Sequence, residues 1–414
     1  MFPRAYSASC LRAHRSEGAA RSFSPFRGKT PAIRTGTPTS IAALERLRLG
    51  GVVQWLTLRG HDAANPLLLY VHGGPGGPDL GAMRHFVPEL EEHFVVAHWS
   101  QRGAGKSYAR ELSDDRMTMA QFVADLEELS LHLLQRFGQR KLFLVGQSWG
   151  TALGMRLAAR RPDLVAAYVG VNQVVDRGAE ELRAYRACLQ RARERGNGKA
   201  VAQLEALGEP KDGAFASVEG TLVQRRWMRT LGMVTFEPKR AAEIGRAIAM
   251  NPELTLRDLL NLFAHVRWNM ELLWPEFCRV DLAREIPAVD APVFFVAGEH
   301  DRLTSPELAR QYLDALRAPR KEFVLFPRSG HVACFEEPRR LLEADPGDAG
   351  RTRNRHGARR HYPLTSNMTA HRIVPPIWLD DQAEPARDRV FQALLPVRRL
   401  DLAELGRAVP GTPA

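Results

Sequence analysis

The chain of 414 residues has only 4 cysteines, and Cys10, Cys188, Cys278 and Cys334 are scattered with no CxxC pair. That spacing points away from a cysteine-rich zinc site and from a disulfide framework, and it suits a reduced, cytosolic setting. No apolar run approaches the roughly 18–20 residues of a spanning helix. An apolar signal-peptide stretch is also missing, and no internal repeat is visible. Lysine is scarce, with 7 Lys against 51 Arg. Acids are scarce at the ends. Residues 1–40 hold seven basic residues and one acid, Glu17, while residues 339–414 hold 13 Arg and 9 acids. The 298 residues between them hold 38 basic and 37 acidic groups, so almost all of the formal +11 belongs to the ends. A nucleic-acid groove needs its charge within the folded part. Neither nucleic acid nor a membrane is therefore expected as a partner.

What is present is apolar content of 44%, enough to bury a core. Residues 1–40 read as a disordered basic leader, and the cytoplasm as the location. Their Arg, Ser and near absence of acid also resemble a transit peptide, so an organelle is the alternative. From 41 to 338 strands and helices alternate. Residues 52–58, 66–71 (PLLLYV), 94–99 (FVVAHW), 141–145 (KLFLV), 164–171, 292–297 (PVFFVA) and 323–326 read as strands. Residues 117–137 read as a helix, with Leu126, Leu129, Leu133 and Leu134 on one face; 151–159 and 306–316 read as helices too. Such alternation implies an α/β fold with a doubly wound, mostly parallel sheet. The core is expected in two parts, 41–173 and 286–338. Residues 174–285 carry helix-like segments (180–195, 222–231, 239–249, 255–265) and few strand signals, so they read as an inserted helical unit. Residues 339–414 read as a poorly ordered Arg-rich tail, with 388–395 a short amphipathic stretch.

Gly146-Gln147-Ser148-Trp149-Gly150 matches G-x-S-x-G between a strand and a helix. A sharp strand-to-helix turn there exposes the Ser148 hydroxyl at the carboxyl edge of the sheet. An acyl-transfer serine needs a base and a residue that orients the base. Asp301 follows the strand PVFFVA and His331 follows FVLF, both where ligands bind in open α/β sheets. Glu299 and His300 are the rivals, although His300 directly follows the acid strand and is badly placed to turn back. His72-Gly73-Gly74-Pro75-Gly76 follows another strand, and its backbone N–H groups could face an oxyanion together with the N–H of Trp149. His72 itself reads as structural. No metal or cofactor is expected.

Together HGGPG, the segment from Ser100 to Ser107 (SQRGAGKS), GQSWG, GEHD and SGH resemble the α/β hydrolases of the prolyl aminopeptidase, or proline iminopeptidase, group. The resemblance covers residues 41–338. It implies Ser148 as nucleophile, His331 as general base, Asp301 as orienting acid, Gly74 and Trp149 as oxyanion donors, and a helical cap over 174–285. The implied activity is a serine hydrolase working through an acyl-enzyme on a small peptide or amide with an N-terminal proline-like residue. A carboxylesterase of small acyl esters is the alternative, and a ligand-binding protein without turnover the alternative of another class. Ser100 stands where the group usually has Asp. The group holds the substrate's amino terminus with acids of the cap. Glu205, Glu209, Glu219, Glu271 and Glu276 are available for that, but each reads better as solvated surface than as a substrate contact.

Overall fold

A computed structural model describes residues 28–33, 37–77, 79–109, 112–211 and 213–343. Most of the basic leader, Cys10, and the tail beyond residue 343 with its segment 388–395 lie outside the described residues. Eight strands form one sheet: β1 (Ile41–Leu49), β2 (Val52–Gly60), β3 (Leu67–Val71), β4 (Val95–Ser100), β5 (Leu142–Gln147), β6 (Val165–Val171), β7 (Val293–Gly298) and β8 (Lys321–Phe326). Their spatial order is β1-β2-β4-β3-β5-β6-β7-β8. The β1–β2 and β2–β4 pairs are antiparallel, and all later pairs are parallel.

Strand β3 shows why the parallel part reads as unbroken apolar runs. All five of its residues are buried. Leu67, Leu69 and Val71 join one apolar cluster, and Leu68 and Tyr70 join another. Alternate side chains leave opposite faces of a strand, so both faces of the sheet are covered. The helices Met119–Phe137 and Trp149–Arg160 contribute Leu126, Leu129, Leu133, Leu153 and Leu157 to the first cluster. Thr118 caps the first of these helices by accepting from the Gln121 N–H, and Gly138 ends it in a left-handed turn.

Strand order reverses around β3, because the chain passes from β3 to β4 on one side and returns to β5 on the other. In open α/β sheets the crevice outside the strand ends at such a reversal binds ligand. Between β6 and β7 lie the helices Arg177–Glu194, Gly198–Leu207, Val218–Thr230, Pro238–Ala249, Leu256–Phe277 and Leu282–Glu285. The fifth of these runs well past the expected 255–265 and carries Pro275 inside it. It continues because Met270, Leu273, Trp274 and Phe277 pack into the first cluster of the core.

The loop after β4 is fixed by a charge pair under the sheet edge. Arg102 donates to both oxygens of Asp125 at 2.8 and 2.9 Å, and both side chains are fully buried. Gln54 and Gln121 complete the carboxylate's partners at 2.6 and 2.8 Å. Removing one member of such a pair leaves an uncompensated buried charge. Asp125→Ala should therefore lower stability by about 3–5 kcal/mol, a fall in Tm on the order of 10 °C. A thermal melt unchanged to within a degree or two would contradict this.

Candidate active site

Ser148 lies between β5 and the helix Trp149–Arg160, at φ 51 and ψ −117. A non-glycine residue in that region costs about 1–3 kcal/mol and persists only where its surroundings determine it. They do so here. The Ser148 N–H donates to Val171 O at 3.0 Å, and the Ser148 carbonyl accepts from the Thr151 N–H at 2.8 Å and its hydroxyl at 2.5 Å. Gly150 makes the turn possible, because a Cβ there would collide with the carbonyl oxygen of Val71 at the end of β3. Trp149 is fully buried and donates its indole N–H to Gln101 Oε1 at 2.8 Å.

His331 and Asp301 arrive from the ends of β8 and β7. His331 Nε2 stands 2.9 Å from Ser148 Oγ, and its Nδ1 is 2.9 Å from Asp301 Oδ2 and 3.2 Å from Oδ1. Burial alone would raise the Asp301 carboxyl. His331, the Thr304 hydroxyl at 2.5 Å and the Leu303 N–H at 2.7 Å outweigh it and hold the group below the ordinary carboxylate range. An ionised Asp301 fixes the ring with Nδ1 as donor and Nε2 facing the serine. The two loops approach closely at Gly298, where a Cβ would strike the carbonyls of Ser329 and Gly330.

Asn172, one residue past β6, escaped the sequence reading. It is buried at φ 52 and donates Nδ2 to Asp301 Oδ2 at 2.7 Å and to Gly330 O at 3.1 Å. Its Oδ1 accepts from the Ala333 N–H at 3.2 Å. One amide thus ties the acid to the histidine loop. No motif marks it, although a lone Asn directly after a strand end suits a left-handed turn. The rivals do not join the site. Glu299 and His300 are exposed, and His300 packs on Phe236 with ring centres 4.7 Å apart.

Gly74 shares the wall of one cavity with Ser148 and His331. The Trp149 N–H belongs to the first turn of its helix, where amides have no partner within the helix. The glycine loop is braced from below. His72 is fully buried, and its Nε2 accepts from the Gln101 N–H at 3.2 Å while Gln101 Nε2 donates to His72 O at 2.8 Å. Nδ1 is then the protonated nitrogen, 2.6 Å from Gly73 O. Ser100, in place of an aspartate, donates to Ala104 O at 2.9 Å. Bracing of the glycine loop therefore runs through His72, Gln101 and Trp149, and Ser100 serves the turn after β4.

The cavity measures about 310 Å³ and is lined by Ser148, His331, the glycine loop and apolar residues including Met270, Trp274 and Phe277. Its charged lining is Asp79, Arg177 and Arg225 beside His331. None of the five available glutamates lines it. Glu205, Glu209, Glu219 and Glu271 pair with Arg193, Arg186 and Arg267 in exposed contacts, and Glu276 accepts from the Met119 N–H. Among the described residues no group of His, Cys, Asp and Glu is arranged to hold a metal, and no helix is long and apolar enough to cross a membrane.

The sequence profile of the alpha/beta hydrolase fold matches residues 66–338. The chain belongs to that family. A probable aminopeptidase, YbaC, of Bacillus subtilis (strain 168) is 34% identical over 304 residues, covering 72% of this chain and 93% of that protein. A proline iminopeptidase of Saccharolobus solfataricus is 22% identical over 72% of this chain and 88% of its own length. Among solved structures, a proline iminopeptidase-related protein of Thermus thermophilus superposes with a TM-score of 0.51 at 17% identity, over 72% of this chain and 93% of that one. The proline iminopeptidase of Mycobacterium smegmatis does so at 0.50 and 20%, over 72% and 94%. These two likenesses concern the fold.

Burial of His72 carries a pH signature. It pushes the imidazole down from 6.5 to about 4. A histidine held neutral in the fold binds its proton more readily when unfolded, so stability falls as pH drops from 6.5 to 4. The His72 contribution to this loss is on the order of 3 kcal/mol. Denaturant melts across that window should show a shallower fall in His72→Gln than in the wild type, and parallel curves would contradict it.

Proposed function

We propose that this hydrolase is a serine hydrolase that acts through an acyl-enzyme on a small amide or ester. One observation carries the reading: Ser148 Oγ, His331 and Asp301 form a continuous hydrogen-bonded relay on a cavity wall. In the first half-reaction Ser148 Oγ attacks the carbonyl carbon and its proton passes to His331 Nε2. The tetrahedral oxyanion is met by the N–H groups of Gly74 and Trp149. Its collapse breaks the bond to the amine or alcohol, which leaves with the proton from His331. Water then attacks the acyl carbon and gives a proton to His331. The acid departs as Ser148 recovers that proton. Asp301 stays ionised and steadies the imidazolium.

The aminopeptidase names of the relatives favour an amide with a free amino terminus. Such a substrate needs an acid for its ammonium. The carboxylate on the cavity wall is Asp79, which already accepts from Tyr70 at 2.7 Å and sits 3.0 Å from His98 Nε2. That prior engagement favours a second reading, a small ester without a free amine. Both substrates use the same relay and differ only in what the cap contacts.

Turnover of a prolyl arylamide, measured beside short acyl esters, separates the two readings. Ser148→Ala should lower kcat on the preferred substrate by on the order of 10⁴-fold or more, and Asp301→Asn by about 10⁴-fold. Retained activity in Ser148→Ala would overturn the serine mechanism. Turnover of esters but not of the prolyl arylamide would select the esterase.

A further inference from the structure

None of the five glutamates available between residues 174 and 285 lines the cavity, and guanidinium groups stand there. Arg177, at the start of its helix, and Arg225, on the helix Val218–Thr230, both line the cavity that holds Ser148. A single carboxylate, Glu181, orients both. It accepts from Arg225 at 2.9 and 2.6 Å and also pairs with Arg177. Arg177 is pinned further by Glu180 at 3.1 Å and by Leu303 O at 3.0 Å, in the loop that carries Asp301. The guanidiniums of Arg177 and Arg225 lie 5.7 and 5.6 Å from the ring centre of Trp274.

The hydrogen-bond inventory of this wall is one-sided. Arg177 Nε and Trp274 Nε1 are buried donors with no acceptor among the described residues, and the two residues are 3% and 6% exposed. Buried donors of this kind normally have a partner. Two guanidiniums share the carboxylate of Glu181, and Glu180 pairs with Arg177 alone. A ligand facing this wall must bring acceptors for the two unpartnered donors, and a carboxylate supplies them with a charge matched to the guanidiniums.

We propose that Arg177, Arg225 and the indole N–H of Trp274 form a subsite for a carboxylate carried by the substrate. The inference rests on the hydrolase reading and names its substrate class: a short peptide with a free carboxyl terminus, or a half-ester of a dicarboxylic acid. In the first the carboxylate sits on the leaving group, and in the second on the acyl group. The unpartnered Arg177 Nε–H and Trp274 Nε1–H are the donors for such a group, the guanidinium of Arg225 held by Glu181 adds positive charge beside them, and holding the carboxylate here leaves the scissile carbonyl to Ser148.

Two matched pairs test this on the full chain. 4-Acetoxybenzoate against 4-acetoxybenzamide places the charge on the leaving side, and monomethyl adipate against methyl hexanoate places it on the acyl side. In one pair kcat/KM should favour the carboxylate by about tenfold or more, the value of a charge-assisted hydrogen bond. Which pair shows the preference identifies the source of the carboxylate. Arg225→Gln leaves Glu181 paired with Arg177, and Trp274→Phe removes one N–H while keeping the ring. Each should cut the preference several-fold while leaving the neutral substrate within about threefold of wild type. A purely structural role would depress both members of a pair alike. Neutral turnover without preference, or a preference unchanged in both variants, would overturn the subsite and leave the hydrolase intact. Absence of Ser148-dependent turnover on all four substrates would overturn both.

Discussion

The site depends on the parallel register of five strands. Val71 of β3 pairs with Gly146 of β5, Gln147 with Val171 of β6, Val171 with Val296 of β7, and Gly298 with Phe326 of β8. These pairings bring the strands' carboxyl ends to one edge. The glycine loop, Ser148, Asn172, Asp301 and His331 each follow within a few residues of such an end. A one-residue slip in any pair would turn that strand's side chains to the opposite face. Two covered faces of apolar side chains make the slip costly, so the core that stabilises the sheet also aligns the relay. The energy that holds Ser148 at a positive φ comes from the same source, through Gly150 packed on β3 and Trp149 sunk beside Phe122 and Phe277.

Much of this was legible because buried parallel strands announce themselves. PLLLYV, KLFLV and PVFFVA are short apolar runs that end at glycine or at a chemical residue, and the fold follows from them, while the resemblance to the family rests on HGGPG, GQSWG, GEHD and SGH. Strand β1 was missed. Its sequence, IAALERLRL, mixes Ala, Leu, Glu and Arg, which favour helices, and it becomes a strand by pairing with β2 along its whole length. The helix Leu256–Phe277 extends past the expected end at His265, since its later half is shaped by packing against the core and tolerates Pro275. Asn172 has no local signature, because its role consists of bonds to residues 129 and 158 positions away.

The helices inserted between β6 and β7 are the part least legible in the sequence. Arg177, Glu180, Glu181 and Arg225 sit in strongly charged helical segments that look like solvated surface. In the fold Arg177, Glu180 and Glu181 are buried, and they interlock with Arg225 against Trp274 and Leu303. The glutamates that looked available for substrate instead pair with exposed arginines or, for Glu276, accept from the Met119 N–H. Burial is a property of the pairing between distant helices, and charge alone does not reveal it. The outcome is a cavity lined by apolar side chains, Asp79 and two guanidiniums beside Ser148.

If Ser148 is the activated nucleophile of this cavity, a fluorophosphonate marks it covalently. Reaction of the full chain with that reagent, followed by mass spectrometry of its peptides, should give one adduct, on the peptide containing Gly146-Gln147-Ser148-Trp149-Gly150, and the adduct should be lost when His331 is replaced by alanine. An unlabelled chain, or an adduct on a different serine, would show that Ser148 is not that nucleophile.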